Sequence, residues 1–307
     1  MNKRYAIFLV FIPLLFVLVG CEERKGSDSS SGNGEVFVEM SSEGRVYNSD
    51  PDALIYEDVY GGLPIDAVEE DVDKEDPYAI YLLGVLYFKG SSRHGLEVDH
   101  VEGRKLLEKA WAMGVVDAGY SLYQIYGKGI GVERNIDLAV AYLNESAEMG
   151  YIESQVALAK DYFGRGEVDY LDTDYQQAKV WYTKAASQGD GESGTALAYM
   201  YRKGLGGDAD ENLAFEWMSS VENMPYDGYT FSFGGLAMYY EEGIGTDIDL
   251  VQAYKYRDLM GTAGIPDKER LSEQMTPEQI QEAIRLSGEW QREHNISMPN
   301  SEGYQYR

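Results

Sequence analysis

The sequence predicts an all-α protein, an α-solenoid of about five helix-turn-helix repeats with a C-terminal capping helix. One observation is a column of tyrosines that recurs at intervals of 39, 36, 39 and 39 residues. A fixed period of about 20 to 50 residues is typical of stacked repeats. A second observation is that a leucine stands four residues before each tyrosine and a small residue stands eight before it. This spacing puts all three on one face of a helix. The tyrosines are Tyr87, Tyr126, Tyr162, Tyr201 and Tyr240.

The first helix of each repeat carries this stripe, and a glycine-containing turn follows it. The turn is clearest in YGKGIG, Tyr126–Gly131. A lysine among glycines also occurs in phosphate-binding loops, but such a loop follows a strand and continues with Ser or Thr. Here a helix precedes the glycines and no Ser or Thr follows Lys128, so we interpret the stretch as a turn between helices. The leucines are Leu83, Leu122, Leu158, Leu197 and Leu236, and the small residues are Ala79, Ala118, Ser154, Ser193 and Ser232.

The second helix of each repeat begins at a residue type that caps free backbone N–H groups. A small residue follows the cap by four positions and a large one by seven. The small residue allows the helices to pack closely, and the large side chain fills the gap between repeats. Most second helices end near a glycine, which suits a left-handed C-terminal turn, but the fourth has Pro225, and the next helix is expected to start irregularly. The caps are Asp99, Asn135, Asp174, Asp210 and Asp249; the small residues are Gly103, Ala139, Ala178, Ala214 and Ala253; the large ones are Leu106, Tyr142, Trp181, Trp217 and Tyr256; the glycines are Gly114, Gly150, Gly189 and Gly264.

These columns resemble the Sel-one-like repeat family, a relative of the tetratricopeptide repeats. The third repeat carries the fullest match, over Ala178–Gly189, and the resemblance covers Asp76–Gly264. A later stretch resembles the terminal helix of the family. There Thr276 and Gln279 have the spacing of a capping box, which satisfies two backbone donors at a helix start.

The N-terminus has the features of a secretory signal peptide over residues 1–20: a positive start, a short apolar run and small residues at its end. Its end, Leu18–Cys21, resembles the lipobox of bacterial lipoproteins, in which the cysteine is acylated. Cys21 is the only cysteine, so it has no disulfide partner, and an ordinary signal that contains a cysteine is the alternative. The residue after it is Glu22 rather than aspartate, which under the enterobacterial sorting rule favours the outer membrane, facing the periplasm.

Four segments complete the predicted organisation. Residues 21–49 are rich in Ser, Gly and Glu and are predicted to be a flexible tether with a reach of roughly 30 Å. Residues 50–76 hold eleven acids and one lysine and are predicted to be an N-terminal cap and linker. Residues 77–264 are the solenoid, and residues 265–307 are the capping helix and tail.

The charge of the chain limits its partners. It carries 53 acidic against 26 basic residues, a formal net charge of −27, and the loss of Lys3 and Arg4 with the signal makes it more negative still. Such a surface repels nucleic acid and anionic lipid headgroups and attracts basic partners. We therefore predict no nucleic-acid partner and contact with the membrane only through the lipid anchor.

The sequence offers no strong chemical site, and we predict no catalytic residue, no metal site and no cofactor. The three histidines, His94, His100 and His294, lack metalloprotease spacing. His94 and His100 fall in a predicted inter-helix loop and are interpreted as solvated residues, with a general base as the alternative. Asp208–Asn212 resembles part of a calcium loop, but Ser219 stands where the bidentate glutamate belongs. Weak calcium binding there stays an alternative. No Gly-x-Ser-x-Gly elbow occurs.

The affirmative prediction is a concave groove lined by first helices. Positions six and two residues before each tyrosine point away from the predicted core, and several hold large amphipathic or flexible side chains that suit protein contacts. Packing against the terminal segments is the alternative. The positions are Tyr81, Val85, Tyr120, Gln124, Val156, Lys160, Thr195, Tyr199, Gly234 and Met238, of which Tyr81, Tyr120, Gln124, Lys160, Tyr199 and Met238 are the predicted partner-binding residues.

The predicted function is therefore that of a non-enzymatic protein–protein interaction lipoprotein of the bacterial cell envelope. The family resemblance implies one finer reading, an immunity protein that neutralises an antibacterial phospholipase effector of the type VI secretion system. An envelope scaffold that gathers cell-wall or secretion enzymes is the alternative, and a hydrolase is the weakest. The repeat defines a shape and does not name its ligand, so the sequence leaves the partner and the oligomeric state open.

Overall fold

The computed structural model describes residues 39–40, 46–48, 63–166, 171–224 and 228–303, all within one compact unit, Gly34–Arg307. The predicted signal peptide, Cys21, most of the tether and the acidic residues before 63 lie outside the described residues. In the described ranges the structure is an all-α solenoid, as predicted. Its helices are α1 (Ile65–Asp73), α2 (Pro77–Lys89), α3 (His100–Ala112), α4 (Val116–Lys128), α5 (Ile136–Glu148), α6 (Ile152–Phe163), α7 (Tyr175–Ser187), α8 (Gly191–Lys203), α9 (Glu211–Ser220), α10 (Gly228–Glu242), α11 (Leu250–Leu259), α12 (Ile265–Ser272) and α13 (Pro277–Glu293).

Four short elements of the described ranges are not α-helical. A short antiparallel pair joins β1 (Glu39–Met40) to β2 (Val46–Asn48), within the segment predicted to be a tether. Single 3-10 turns follow α9 at Val221–Asn223 and α11 at Gly261–Gly264. Because of the second turn, α11 ends at Leu259, five residues before Gly264, near which the sequence predicted its end.

Consecutive helices form five pairs, α2–α3, α4–α5, α6–α7, α8–α9 and α10–α11, and these make the most extensive contacts in the described structure. Each pair is one predicted repeat. The leucine stripe is buried in every first helix, as predicted. The tyrosines of the column are only half-buried apart from Tyr126, because each lies at the end of its stripe.

The predicted second-helix caps are confirmed in all five repeats. Each cap side chain accepts at least one backbone N–H from the first turn, at distances between 2.9 and 3.1 Å. Such a cap stabilises a helix by about 1 kcal/mol. The five caps therefore fix where every second helix begins.

Aromatic stacking links the two helices of a repeat. Tyr126 of α4 stacks on Tyr142 of α5 with ring centroids 5.8 Å apart, and Tyr240 of α10 stacks on Tyr256 of α11 at 5.9 Å. In both pairs the column tyrosine meets the large residue of the second helix. Stacked rings contribute about 0.5–1.5 kcal/mol beyond the area that they bury.

The two glycines of the turn have different functions. The first, Gly129 in the YGKGIG stretch, has φ 68° and ends α4 in the left-handed conformation that glycine adopts without strain. The second makes a close approach to the preceding repeat: a Cβ on Gly131 would lie 2.4 Å from His100 Cβ, and one on Gly206 would lie 2.5 Å from the carbonyl oxygen of Tyr175. His100 and Tyr175 are the first residues of α3 and α7, so the second glycine allows successive repeats to stack.

The C-terminal end is closed by two helices and a tail rather than by a single helix. The predicted capping box is confirmed, since Thr276 Oγ1 accepts from the backbone N–H of Gln279 and the Gln279 side chain accepts from that of Thr276. Ala283 of α13 is buried beside Ala253, Tyr254 and Leu271 in a small apolar cluster. Helix α13 packs mainly on α11 and so covers the last repeat.

Candidate functional site

The first helices α2, α4, α6 and α8 line a groove made of two adjoining pockets. The first pocket has a volume of about 570 Å³ and lies along α4, α6 and α8. The second, of about 500 Å³, lies along α2, α4 and α6. The residues that line both form the shared wall of the groove: Tyr120, Glu153, Val156, Lys160 and Glu192.

Five aromatic side chains contribute to the lining of the first pocket. Phe163 lies 6.4 Å from the ring of Tyr199 and 6.3 Å from that of Tyr182. The guanidinium of Arg165 lies 4.8 Å from the centroid of the Phe163 ring and 5.9 Å from that of Tyr199. Tyr199 keeps 43% of its surface exposed, so its ring is open to a binding partner.

The second pocket combines aromatic, aliphatic and amide groups. Tyr120 lines both pockets. The centroid of its ring lies 5.9 Å from that of Tyr123 and 6.1 Å from that of Tyr151. Tyr81, Val85 and Phe88 of α2 also line this pocket, as do Gln124 and Ile130. A pocket of this composition suits an apolar side chain held by a few polar contacts.

The structure brings together five of the six predicted partner-binding residues. Tyr81, Tyr120 and Gln124 line the second pocket, and Tyr120, Lys160 and Tyr199 line the first. Met238 does not join them. It lies one repeat further on, where its sulfur is 3.6 Å from the Arg202 guanidinium and its side chain packs against the C-terminal core.

The expectation that all these positions stand away from the core is wrong at Tyr81, Val85 and Val156. These residues are only 5%, 5% and 6% exposed. For the first two the cause is the composition of α2, in which Ala79–Leu86 are all buried. A helix that is apolar on every side is buried on every side, and here α1 and α3 both pack on α2.

Ionic groups of both signs lie along the shared wall. Lys160 Nζ is 2.9 Å from Glu192 Oε2, an ion pair that joins α6 to α8. Asp190 caps α8 by accepting the backbone N–H of Ser193 at 2.7 Å. Burial raises the pKa of the Asp190 carboxyl despite this bond, and burial likewise raises the pKa of the Tyr182 phenol.

Sequence reasoning missed several lining residues. Phe163 and Arg165 follow the tyrosine column, and Tyr182 lies on a second helix, so positions six and two before the tyrosines could not include them. Glu153 and Glu192, in contrast, could have been predicted from their spacing in the sequence. Each lies nine residues before its tyrosine, two helical turns before the position at minus two, and therefore on the same face.

The histidines have structural contacts, so their interpretation as solvated residues is wrong. His94 Nδ1 lies 2.7 Å from Ser91 Oγ and its Nε2 lies 2.9 Å from the carbonyl oxygen of Leu63. His294 stacks on Trp290 with centroids 4.0 Å apart.

Within residues 63–166, 171–224 and 228–303, no group of three or more His, Cys, Asp or Glu is placed to hold a metal ion. None of the helices described is long and apolar enough to span a membrane.

Helix pairs stacked in register around a lined groove define a helical-repeat protein with a protein-interaction fold. Residues 77–115, 118–151, 152–190, 195–220 and 235–256 match the model of the Sel1 repeat. These matches cover more than half of the chain, which therefore belongs to the Sel1 repeat family. They also reproduce the five repeats that the tyrosine column predicts.

Known proteins resemble this chain over most of its repeats. The chitin synthase regulator SKT5 of Saccharomyces cerevisiae is 29% identical over 209 residues, which cover 65% of this chain but only 29% of that protein. A protective antigen of uropathogenic Escherichia coli with an SLR fold has a TM-score of 0.59 at 24% identity, covering 75% of this chain and 48% of its own. A Sel1 repeat protein of Oxalobacter formigenes has a TM-score of 0.55 at 20% identity, with 70% and 88% covered. The two structural likenesses support the fold.

Proposed function

We propose that this protein binds another protein in the groove formed by α2, α4, α6 and α8 and performs no chemistry itself. The observation that carries this proposal is the pair of adjoining pockets lined by Tyr120, Phe163 and Tyr199. Tyrosine side chains in concave sites are typical of the residues that dominate binding energy at protein interfaces. The Sel1 repeat family, whose repeats act as interaction scaffolds, supports the same function.

The test is a double substitution, Tyr120→Ala with Tyr199→Ala. The protein and its variants would be immobilised and exposed to detergent-solubilised membranes of the cells that make it. We expect retained partners to be lost, because removing two central aromatic anchors costs about 2 kcal/mol or more each. Tyr199→Ala alone should change thermal unfolding little, since Tyr199 is well exposed, and it tests binding separately from the loss of the half-buried Tyr120.

The matched control is the double variant Met149→Ala with Val180→Ala. These two side chains are 53% and 48% exposed and line neither pocket. It should retain every partner of the wild type. An equal loss of partners in both double variants, or a loss of folding that accompanies the loss of binding, would rule out the groove as the binding site.

The finer form of this proposal concerns the compartment and the partner. We propose that Cys21 carries a lipid anchor and that the repeats face the periplasm, on the basis of the lipobox-like Leu18–Cys21. A partner in that compartment would be an antibacterial phospholipase effector, which an immunity protein neutralises, or an envelope enzyme, which a scaffold gathers. Co-production with the product of any adjacent phospholipase gene separates these functions, because only an immunity protein protects the cell.

A further inference from the structure

Charges of both signs line the groove. Lys89 lines only the second pocket and Arg165 lines only the first. Glu153 and Glu192 line the shared wall together with Lys160. Asp190 adds a carboxylate to the second pocket and Asp161 adds one to the first. The groove as a whole therefore carries four carboxylates against three basic side chains, and its shared wall carries two carboxylates against one ammonium.

The ion pair within the wall leaves room for a competing cation. Glu192 has 56% of its side chain exposed and Lys160 has 35% exposed. A solvated pair of this kind contributes about 0–1 kcal/mol, so a second cation can share the carboxylate at little cost. Tyr120 lies in the same wall, and an aromatic ring beside carboxylates is a favourable environment for Lys or Arg.

We propose that the occupant of the groove is an extended peptide segment with a Lys or Arg that lies over this wall, between two apolar side chains that enter the two pockets. This inference rests on the proposed function, since it needs a protein partner in the groove. The two pockets adjoin along their shared wall of Tyr120, Glu153, Val156, Lys160 and Glu192, so one extended segment can reach both. The net charge of −27 favours the approach of a basic segment.

The experiment starts from a phage-displayed library of random peptides selected on the immobilised wild-type protein. Selected peptides would be synthesised with a fluorophore, and their Kd would be measured by anisotropy on the wild type and three variants. The first variant is Glu153→Gln with Glu192→Gln, which removes the charge of the wall. The second is Tyr120→Ala with Tyr199→Ala. The third is Glu148→Gln, a matched control outside the groove, where the exposed Glu148 pairs with Lys184 at 3.2 Å.

We expect the selected peptides to share a Lys or Arg between two apolar residues. Their affinity should fall by about tenfold on Glu153→Gln with Glu192→Gln, as for the loss of charge-assisted hydrogen bonds, and stay unchanged on Glu148→Gln. Replacing the basic residue of the peptide by Gln should cause the same loss. Little further loss is expected when the peptide and wall changes are combined.

Two outcomes would overturn the inference in distinguishable ways. Peptides that lose affinity on the tyrosine variant but carry no basic residue, or ignore the wall variant, contradict the charge inference and leave the groove as the binding site. Peptides that bind all variants equally, or a library that yields no binder, contradict the groove itself as a peptide site. In either case the partner capture described above reports independently on the proposed function.

Discussion

Gly103 lies where α3 packs directly against the backbone of α2. A Cβ at this position would be 2.7 Å from the backbone nitrogen of Phe88 and 2.8 Å from the carbonyl oxygen of Gly84. Backbone atoms cannot move aside as a flexible side chain can. The corresponding positions in the other four repeats hold alanines that are fully buried, so the first repeat is packed more tightly than the rest.

We expect Gly103→Ala to lower the free energy of unfolding by about 1–3 kcal/mol, the usual cost of overpacking. Gly234→Ala is the matched control, because it also lies in a helix but its added Cβ would be 3.6 Å from the methyl of Met260, an ordinary contact. That control should be neutral or stabilising by up to about 1 kcal/mol. Urea unfolding followed by circular dichroism measures both, and similar midpoints for the two variants would contradict this account of α2–α3 packing.

At the residue scale, local rules in the sequence predicted capping and turn chemistry well. Asp174 or Asn135 is recognisable as a cap because its bond partners lie two or three residues away along the chain. Burial in the groove was harder to predict. Tyr81 and Tyr120 occupy equivalent positions, each six residues before its column tyrosine, yet Tyr81 is 5% exposed and Tyr120 is only half-buried, a difference that nothing in the repeat pattern encodes.

Among the elements, the C-terminal tail is attached by a buried polar network around Asp258 of α11. The carboxylate is fully buried and lies 2.9 Å from Lys268 Nζ. It also accepts from Ser301 Oγ at 2.5 Å and from the backbone N–H groups of Glu302 and Gly303 at 2.9 and 3.0 Å. One side chain thus joins α11, α12 and the tail.

This network predicts acid sensitivity of the C-terminal cap. Burial acts to raise the pKa of Asp258, but the bonds from Lys268, Ser287 and Ser301 outweigh it and the net pKa is lowered. A lowered folded pKa contributes stability that is present above the unfolded value and is lost as pH falls through the folded one. We expect the urea midpoint of the wild type to fall as the pH drops below the ordinary aspartate value of 3.8, and to fall less in Asp258→Asn, which cannot titrate.

Asp258→Asn should also be destabilised at neutral pH by up to about 3–5 kcal/mol, because the buried Lys268 would keep only the half-exposed Glu302, 3.6 Å away, as an ionic partner. Glu289→Gln is the control, since Glu289 pairs with Arg285 on the exposed face of α13 and its replacement should leave the acid response unchanged. An acid response in Asp258→Asn as large as that of the wild type would show that other carboxyls cause it.

Element order and type were predictable from the sequence because the repeats confirm one another. Five copies of one pattern fix the helix pairs even where one copy is atypical, as at Pro225. The C-terminal end has no second copy. The resemblance of this end to the terminal helix of the family predicted α13, and the spacing of Thr276 and Gln279 predicted its capping box. In contrast, α12 and the attachment of the tail depend on long-range contacts of Asp258 and Ser301 that no repeat predicts.

For the whole molecule, negative charge and the groove serve one purpose under the proposed function. Acidic residues exceed basic ones about two to one, so the surface repels anionic lipid headgroups while it attracts a basic segment. A repelled surface cannot hold the protein at a membrane. Under the lipid-anchor proposal, membrane attachment comes from the acyl chains on Cys21.

The lipid-anchor proposal therefore predicts that removal of the Cys21 sulfur abolishes membrane attachment. We expect the full-length protein to sediment with bacterial membranes and to incorporate radiolabelled palmitate, and the variant Cys21→Ala to lose both properties, because each buried CH₂ of an acyl chain contributes about 0.8 kcal/mol to membrane binding. Ser30→Ala, in the same predicted tether, is the matched control and should behave as the wild type. If Cys21→Ala still sediments with membranes and the label is absent from both proteins, the proposal of a lipoprotein is wrong, while binding in the groove is tested separately on the repeats.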